Sequence, residues 1–211
     1  MSSLTTNVEE SSQPPAPRHL PQRFLAAILL QSAIIFAVPF QSFITYQRGQ
    51  TVTLQTAPVD PYDFIRGYSQ TLGYDISLPD TLSALPGGSQ ALRRGSKTDE
   101  TDRWIYVTLQ APENAQNPTT PIAWEPVAVS TELPQSLASN QVALKGRYEG
   151  WRVEYGLETY YMPESQRDDI NAQIVTIQQS GEQTFVVDVK VDDKGNSVPV
   201  SLWVGAQQYR F

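Results

Sequence analysis

The sequence predicts a mainly β protein: a single N-terminal transmembrane helix, then a small antiparallel β-barrel or sandwich domain with one short helix. Three observations lead to this prediction. A charge-free apolar run occupies residues 24–46, and short segments of alternating polar and apolar residues recur through residues 47–211. Stretches rich in Pro and Gly separate these segments, as between the strands of an all-β domain. Residues 1–23 are rich in Ser, Thr, Gln and Pro, and such a composition predicts a disordered tail.

The apolar run, Phe24–Tyr46, is long enough to cross a bilayer. Its 23 residues form a helix of about 34 Å at 1.5 Å per residue, against a bilayer core of about 30 Å. A cleaved signal peptide is the alternative, but residues 37–42 lack the small-residue pattern of a cleavage site. Arg18 and Arg23 precede the run and Arg48 follows it. The positive-inside rule then predicts a cytoplasmic N-terminus and an extracytoplasmic C-terminal domain, in contact with lipid through residues 24–46.

Charge and residue usage narrow the chemistry of the domain. The chain of 211 residues has a formal net charge of −7. Its first 23 residues hold two acids and two bases, so the negative charge belongs to the rest. An acidic domain repels phosphate backbones, and we expect no nucleic-acid partner. There is no cysteine, and the only histidine is His19 in the tail. The domain therefore has no thiol chemistry, no Ser-His-Asp triad and no imidazole metal site, and we expect neither metal nor cofactor.

The first strands of the domain enclose a stiff acidic turn. Alternation predicts strands over Thr51–Thr56 and Tyr68–Ser77. Two prolines between them fix φ and bias the preceding residues toward extended geometry. Asp60 and Asp63 can accept hydrogen bonds from backbone N–H groups, and Arg66 can neutralise their charge. A structural turn is the favoured interpretation, and binding of a ligand or cation is the alternative.

The same stretch follows a known signature without a gap, at Pro58, Val59, Asp60, Pro61, Asp63, Arg66, Gly67, Leu72 and Tyr74. It resembles the P-V-D-P-R-D-x-x-R-G-D-Y-x-x-L-x-Y motif of the GDYXXLXY family of bacterial membrane-anchored proteins. The two middle letters of the family name depart, because Tyr68 stands where the family has Asp and Ser69 where it has Tyr, and Tyr62 stands in place of the Arg between Pro61 and Asp63.

A second block resembles the Y-G-x-E-x-Y-F-x-P-E motif of the same family, at Tyr155, Gly156, Glu158, Tyr160, Pro163 and Glu164. The family has no established activity, so the resemblance assigns no catalytic residue. Members often occur beside polytopic membrane proteins, which implies a partner of that kind. From the residues alone, Glu158 and Glu164 are either structural or a carboxylate pair for acid–base work. The tyrosines are either core residues or a stacking platform.

The remaining elements follow from the same patterns. Large residues on both faces predict that Arg103–Gln110 is a central strand, and Pro126 predicts an edge or a bulge for Ile122–Ser130. A hairpin turn is predicted at residues 192–196. The Gly, Ser and Thr content of residues 79–102 predicts a polar loop with a basic patch. The domain then has about seven strands and one helix. The other predicted elements are the strands Gln141–Glu149, Arg152–Tyr155, Gln183–Val191 and Ser197–Val204, and a helix over Glu164–Gln179.

These observations favour a membrane-tethered, non-catalytic module that contacts another membrane or envelope component. The alternative is a membrane-tethered Ser-Lys hydrolase resembling signal peptidases, which are also anchored by one span and built on a small β-barrel. Lys145 is its candidate base, because a strand pattern could hold that amine buried with a lowered pKa. A serine hydroxyl within about 3.5 Å of Lys145 Nζ would distinguish the two.

Overall fold

The computed structural model describes residues 20–56, 69–71, 73–93, 103–113, 121–161 and 185–210. The chain divides into two compact units, Met1–Phe40 and Gln41–Phe211. The predicted disordered tail, the acidic turn and the predicted helix over Glu164–Gln179 lie outside the described residues, apart from the first turn of the N-terminal helix.

The predicted apolar helix forms, and it bends. Helix α1 comprises Leu20–Arg48 and contains Pro39, which lacks the N–H needed to continue the hydrogen-bond ladder. Its axis turns by 42° between Arg23–Ala37 and Pro39–Arg48. Within the described chain, neither part alone is long and apolar enough to span a membrane, whereas the bent pair passes by length and composition.

Beyond α1, the described part of the chain contains ten strands, two short helices and one 3-10 turn. In chain order they are β1 (Gln50–Gln55), β2 (Ser69–Thr71), the 3-10 turn Asp75–Ser77, α2 (Pro79–Ser83), α3 (Gly88–Ala91), β3 (Arg103–Gln110), β4 (Glu125–Ser130), β5 (Gln141–Tyr148), β6 (Val153–Glu154), β7 (Thr159–Tyr161), β8 (Phe185–Val191), β9 (Ser197–Val204) and β10 (Gln207–Arg210).

The strands form two four-stranded sheets and a two-stranded ribbon. One sheet has the order β1-β8-β9-β10, the other β4-β3-β5-β6, and β2 pairs with β7. Every pairing is antiparallel, which confirms the predicted mainly β fold. A closed barrel is wrong for the described strands, because each four-stranded sheet keeps two edges. Both sheets contribute to one core, which includes Val52, Leu54, Ile105, Val107, Leu144, Val187, Val189 and Leu202.

Several strands match their predictions in detail. β3 lies between β4 and β5, which confirms the central strand. β4 is an edge strand, and its register against β3 shifts next to Pro126. Val142, Leu144, Gly146 and Tyr148 are all buried along β5. β8 and β9 form the predicted hairpin, with Val191 opposite Ser197.

Other predictions are wrong. Tyr68–Ser77 is not one strand: β2 ends at Thr71, and beyond it only an isolated bridge joins Thr56 and Tyr74. The chain then turns, because the Ser77 N–H bonds back to the Tyr74 carbonyl over 2.9 Å. β7 and β10 were not predicted.

The predicted polar loop over residues 79–102 contains α2 and α3 in its described part. Pro79 occupies the first turn of α2, where a missing N–H costs no helical bond. Leu82 and Ala91 are buried, so packing stabilises helices that are too short to form by propensity alone.

Candidate functional site

The structure describes only some of the predicted site residues. Tyr74, Tyr155, Gly156 and Glu158 are described with their side chains, and Tyr160 is described by its backbone alone. The others lie outside the described part of the chain: Asp60, Asp63, Arg66, Gly67, Leu72, Pro163 and Glu164.

Two tyrosines bring the two motif blocks together. Tyr74 Oη donates to the Leu157 carbonyl over 2.8 Å, and Tyr155 Oη donates to the Ile76 carbonyl over 2.6 Å; both bonds are buried. The partners are 83 and 79 residues apart in the chain. The ladder of β2 and β7 joins the same blocks, with Gln70 opposite Tyr160. We call the set Tyr74, Ile76, Tyr155, Leu157 and Glu158 the motif junction.

Glu158 closes a local turn within the motif junction. Its Oε1 accepts the Tyr155 backbone N–H over 2.6 Å. Gly156 lies between them at φ +73°, a left-handed conformation that favours glycine. Burial, and after it the negative charge of Glu158, raises the pKa of Tyr155 well above its ordinary value. The Tyr155 hydroxyl therefore stays protonated at neutral pH and serves as a hydrogen-bond donor to Ile76.

The Tyr155 ring belongs to the core and is not an exposed stacking platform. Gly146 on β5 leaves room for it, since a Cβ at Gly146 would lie 2.5 Å from Val153 Cγ1 and 2.7 Å from Tyr155 Cε1. Those distances are far below van der Waals contact. The described half of the motif is thus built as a packed, hydrogen-bonded joint.

A second polar cluster, which the sequence reading missed, crosses the outer face of the β1-β8-β9-β10 sheet. Asp188 Oδ1 accepts from Thr53 Oγ1 over 2.8 Å. Asp188 Oδ2 accepts from Ser201 Oγ over 3.1 Å and from Trp203 Nε1 over 2.6 Å. Gln208 Nε2 donates to Ser201 Oγ over 3.0 Å. Each of the four strands supplies a side chain, so the cluster ties the sheet together.

The hairpin turn alone does not predict this cluster. Counted from the turn at residues 192–196, Asp188 would face Val200, but a register shift between Asp188 and Val189 places it opposite Ser201. Side chains opposite each other in an antiparallel pair share one face. Thr53 joins them because it lies opposite Asp188 on the other side.

The end of α1 is fastened to the β8–β9 turn. Thr45 is buried, and its Oγ1 donates to Asp192 Oδ2 over 2.9 Å. Gly49 N–H bonds to the Thr45 carbonyl over 2.8 Å. A Cβ at Gly49 would lie 2.5 Å from the Thr45 carbonyl oxygen and 3.0 Å from both the N and the O of Val191, so a larger residue would force the backbone to shift. We call Thr45, Gly49, Val191 and Asp192 the helix clamp, and all four belong to the unit Gln41–Phe211.

Asp192 also organises the hairpin turn. Its Oδ1 accepts from the Lys194 and Asn196 N–H groups over 3.0 and 2.8 Å, and its Oδ2 accepts from Asn196 Nδ2 over 3.0 Å. Burial alone would raise the pKa of Asp192. The hydrogen bonds from Asn196, Thr45 and the Lys194 backbone outweigh burial and lower this pKa below its ordinary value. The carboxylate is therefore held ionised in the folded protein.

Lys145, the candidate base of a hydrolase, is half-buried and not enclosed. Its Nζ lies 4.3 Å from the centroid of the Trp104 ring, an exposed indole. Among the described residues, no hydrogen bond joins this amine to a serine. In that same part of the chain, no group of three or more potential metal ligands is close enough to hold an ion.

A family model described as GDYXXLXY protein matches residues 31–202. The chain belongs to the GDYXXLXY family. The matched span of this GDYXXLXY chain contains both motif blocks, the motif junction and the helix clamp. It also contains the polar cluster around Asp188, apart from Trp203 and Gln208. Searches of curated proteins and of solved structures found no match.

Proposed function

We propose that this GDYXXLXY protein is a membrane-anchored, non-catalytic envelope protein whose β-domain contacts a polytopic membrane protein. One observation carries the anchor: large apolar side chains on α1 are exposed along its length. Water-soluble monomers rarely expose a continuous apolar surface of this extent. The side chains more than half exposed include Phe24, Leu25, Leu29, Leu30, Ile34, Ile35, Phe36 and Phe40.

The sidedness of the proposal rests on flanking charge. Arg18 and Arg23 precede the apolar run, and basic residues favour the cytoplasmic side. The β-domain is then extracytoplasmic.

The proposal of a non-catalytic role rests on how the motif residues are used. Tyr74, Tyr155 and Glu158 are engaged with backbone groups of the domain itself. A nucleophile or general base must instead reach a substrate atom. A contact module needs only a stable shape and a complementary surface.

Extraction of membranes with alkaline carbonate tests the anchor. The full-length chain is expected to stay in the membrane pellet. Replacing Ile34 and Ile35 with arginine costs about 2.5–3.5 kcal/mol for each charge at the helix centre, so this variant is expected in the supernatant. Ile34→Leu with Ile35→Leu is the matched control and stays in the pellet. Release of a parent species that lacks about the first forty residues, as expected of a cleaved signal peptide, would overturn the anchor.

The partner is tested separately, by cross-linking in intact membranes followed by capture through a C-terminal tag in mild detergent. A polytopic membrane protein is expected in the parent capture and absent from the arginine variant. If the parent stays in the pellet but captures no integral membrane protein, the anchor stands and the partner is wrong.

A further inference from the structure

We propose that the outer face of the β4-β3-β5-β6 sheet docks onto an anionic lipid surface through Trp104, Lys145, Arg147, Trp151 and Arg152, the indole–cation surface. This inference rests on the proposed membrane anchor and adds a second contact with the bilayer. It requires the β-domain to lie close to lipid headgroups, where indoles and basic side chains are both favoured.

Two exposed indoles define the surface. Trp104 is 55% exposed and Trp151 is 66% exposed. Trp104 lies on the outer face of β3, since its neighbour Ile105 is in the core. Trp151 lies in the turn between β5 and β6. Tryptophan side chains exposed to this extent are uncommon on a surface that faces only water. The membrane interface accommodates the amphipathic indole.

Each indole carries a cation on its face. Lys145 Nζ lies 4.3 Å from the Trp104 centroid, and the Arg152 guanidinium carbon lies 4.5 Å from the Trp151 centroid. Arg147 is the cross-strand partner of Trp104 on the same face. Trp104 and Lys145 therefore present positive charge together with apolar area, which is the combination that an anionic bilayer surface binds, and Trp151 adds further apolar area.

Ion pairs hold the two halves of the surface together. Arg147 bonds to Glu149 and Glu154, both over 2.8 Å. Arg152 also pairs with Glu149 and Glu154. Among these ion pairs, two carboxylates offset two guanidinium groups. Within the described chain, Lys145 forms no ion pair, so its positive charge is the one that these pairs leave available to a partner.

The position of the surface argues for lipid over other anionic partners. The Lys145 N–H bonds to the Gly195 carbonyl over 3.0 Å, and Gly195 lies in the same hairpin turn as Asp192. Asp192 in turn accepts from Thr45 at the end of α1. One turn therefore contacts both the end of the apolar helix and the start of the indole–cation surface. If that helix end lies at the bilayer boundary, this surface is beside the headgroups.

The overall negative charge of the chain does not prevent this contact. Exposed charges farther apart than about 8–10 Å are largely screened at physiological salt. Lys145 contributes over a short range, and one basic residue near an anionic surface changes the ratio of contacting to non-contacting domains by about fivefold.

The test uses the full-length chain reconstituted into vesicles of phosphatidylcholine, alone or mixed with phosphatidylglycerol, with bromine on the upper acyl chain to quench indoles. Quenching of tryptophan fluorescence is expected to be stronger in the anionic vesicles. The variant with Trp104→Phe and Trp151→Phe is expected to lose this increase, while its half-buried Trp124 and Trp203 remain as internal controls. Inorganic phosphate added to neutral vesicles is expected to change nothing.

Charge is tested with Lys145→Gln, which is expected to lower the ratio of contacting to non-contacting domains about fivefold and so to reduce the increase in quenching on anionic vesicles. Lys190→Gln, a half-buried strand lysine on the other sheet, is the matched control and is expected to keep it. Co-flotation with neutral vesicles reports the anchor independently. If the chain floats but quenching is equal in both vesicles, or Lys145→Gln has no effect, the lipid contact is wrong while the anchor stands. If the parent shows no anion-dependent quenching and the double Phe variant loses the captured partner, this face binds a protein instead of lipid.

Discussion

At the scale of single residues, two buried phenol hydroxyls explain why tyrosine stands at the end of the first motif block and at the start of the second in this chain. Tyr74 donates to the carbonyl of Leu157 in the second block, and Tyr155 donates to the carbonyl of Ile76, two residues after the first block. Each ring adds buried apolar area, and each hydroxyl satisfies a buried acceptor that water cannot reach. The final tyrosine of the first motif and the first tyrosine of the second therefore both stabilise the motif junction.

We expect Tyr155→Phe and Tyr74→Phe each to lower the free energy of unfolding by about 1–2 kcal/mol, because each leaves a buried carbonyl unpaired. The double variant should depart from additivity, since the two bonds share one junction. Urea unfolding of the full-length chain in detergent measures these changes. Tyr148→Phe is the control, because its hydroxyl bonds to Gly150 at a surface turn, and it should cost less than about 1 kcal/mol.

Tyr155 also predicts a response to alkaline pH. Its pKa is raised in the folded state, so its stabilising contribution is complete below the unfolded value of about 10 and is lost as pH rises beyond it. Tyr155→Phe should flatten the alkaline part of the stability curve. If the Phe variants unfold like the parent yet fail to capture the proposed membrane partner, the junction is a binding site and the architectural interpretation is wrong.

At the scale of elements, the β8–β9 hairpin turn does more than reverse the chain. Asp192 serves three donors within the turn and one on α1. Gly195, at φ +84°, lets the turn approach β5, where a Cβ would lie 3.0 Å from the Ala143 carbonyl oxygen. The turn is therefore a point where the helix and both sheets meet.

Replacing Asp192 with asparagine should lower the free energy of unfolding by about 1 kcal/mol near neutral pH, since the group is partly exposed and its partners are uncharged. The pKa of Asp192 is lowered in the folded state. Its contribution is therefore present above the unfolded value of about 3.9 and is lost as pH falls through the lower folded value. Parent and variant should differ at about pH 7 and converge at about pH 2.5.

Two further variants sharpen that experiment. Thr45→Val removes only the bond from the helix and should reproduce part of the loss. Asp193→Asn, at an exposed neighbouring position, should unfold like the parent near neutral pH. An Asp192→Asn variant that matched the parent near neutral pH would show that the clamp contributes no stability.

The sequence predicted the elements whose signals are local. β5, β8 and β9 alternate with period two, and the turn between β8 and β9 has its own composition signal, so the pairing of β8 with β9 followed. The motif junction could not be predicted, because its bonds join residues about eighty positions apart and nothing in either segment specifies the other. The helices α2 and α3 were hidden in a polar, Gly-rich stretch, because burial of Leu82 and Ala91 stabilises them rather than propensity.

At the scale of the whole molecule, the proposed anchor leads to a test of which side of a membrane the domain would occupy. If Arg18 and Arg23 remain inside, added protease should degrade the C-terminal domain in intact spheroplasts and spare the N-terminal tail. Immunoblots against tags at the two termini measure this. Protection of the C-terminal tag in intact spheroplasts, with cleavage only after lysis, would place the domain in the cytoplasm.

A matched pair of variants tests the charge argument. Replacing Arg18 and Arg23 with glutamine should increase the fraction of protected C-terminal tag, because the orienting charge is gone. Replacing both with lysine should leave the pattern unchanged.

The helix clamp has a mechanical consequence. Only Gly49 separates the last residue of α1 from β1, and the hydrogen bonds of Thr45 and Gly49 occupy that junction. A flexible linker lets a domain sample a volume that grows with the number of linker residues. Such a linker also absorbs a force applied at one end before it reaches the other. This chain has no such linker between α1 and β1. A tilt or twist of residues 41–48 is therefore transmitted directly to the first strand.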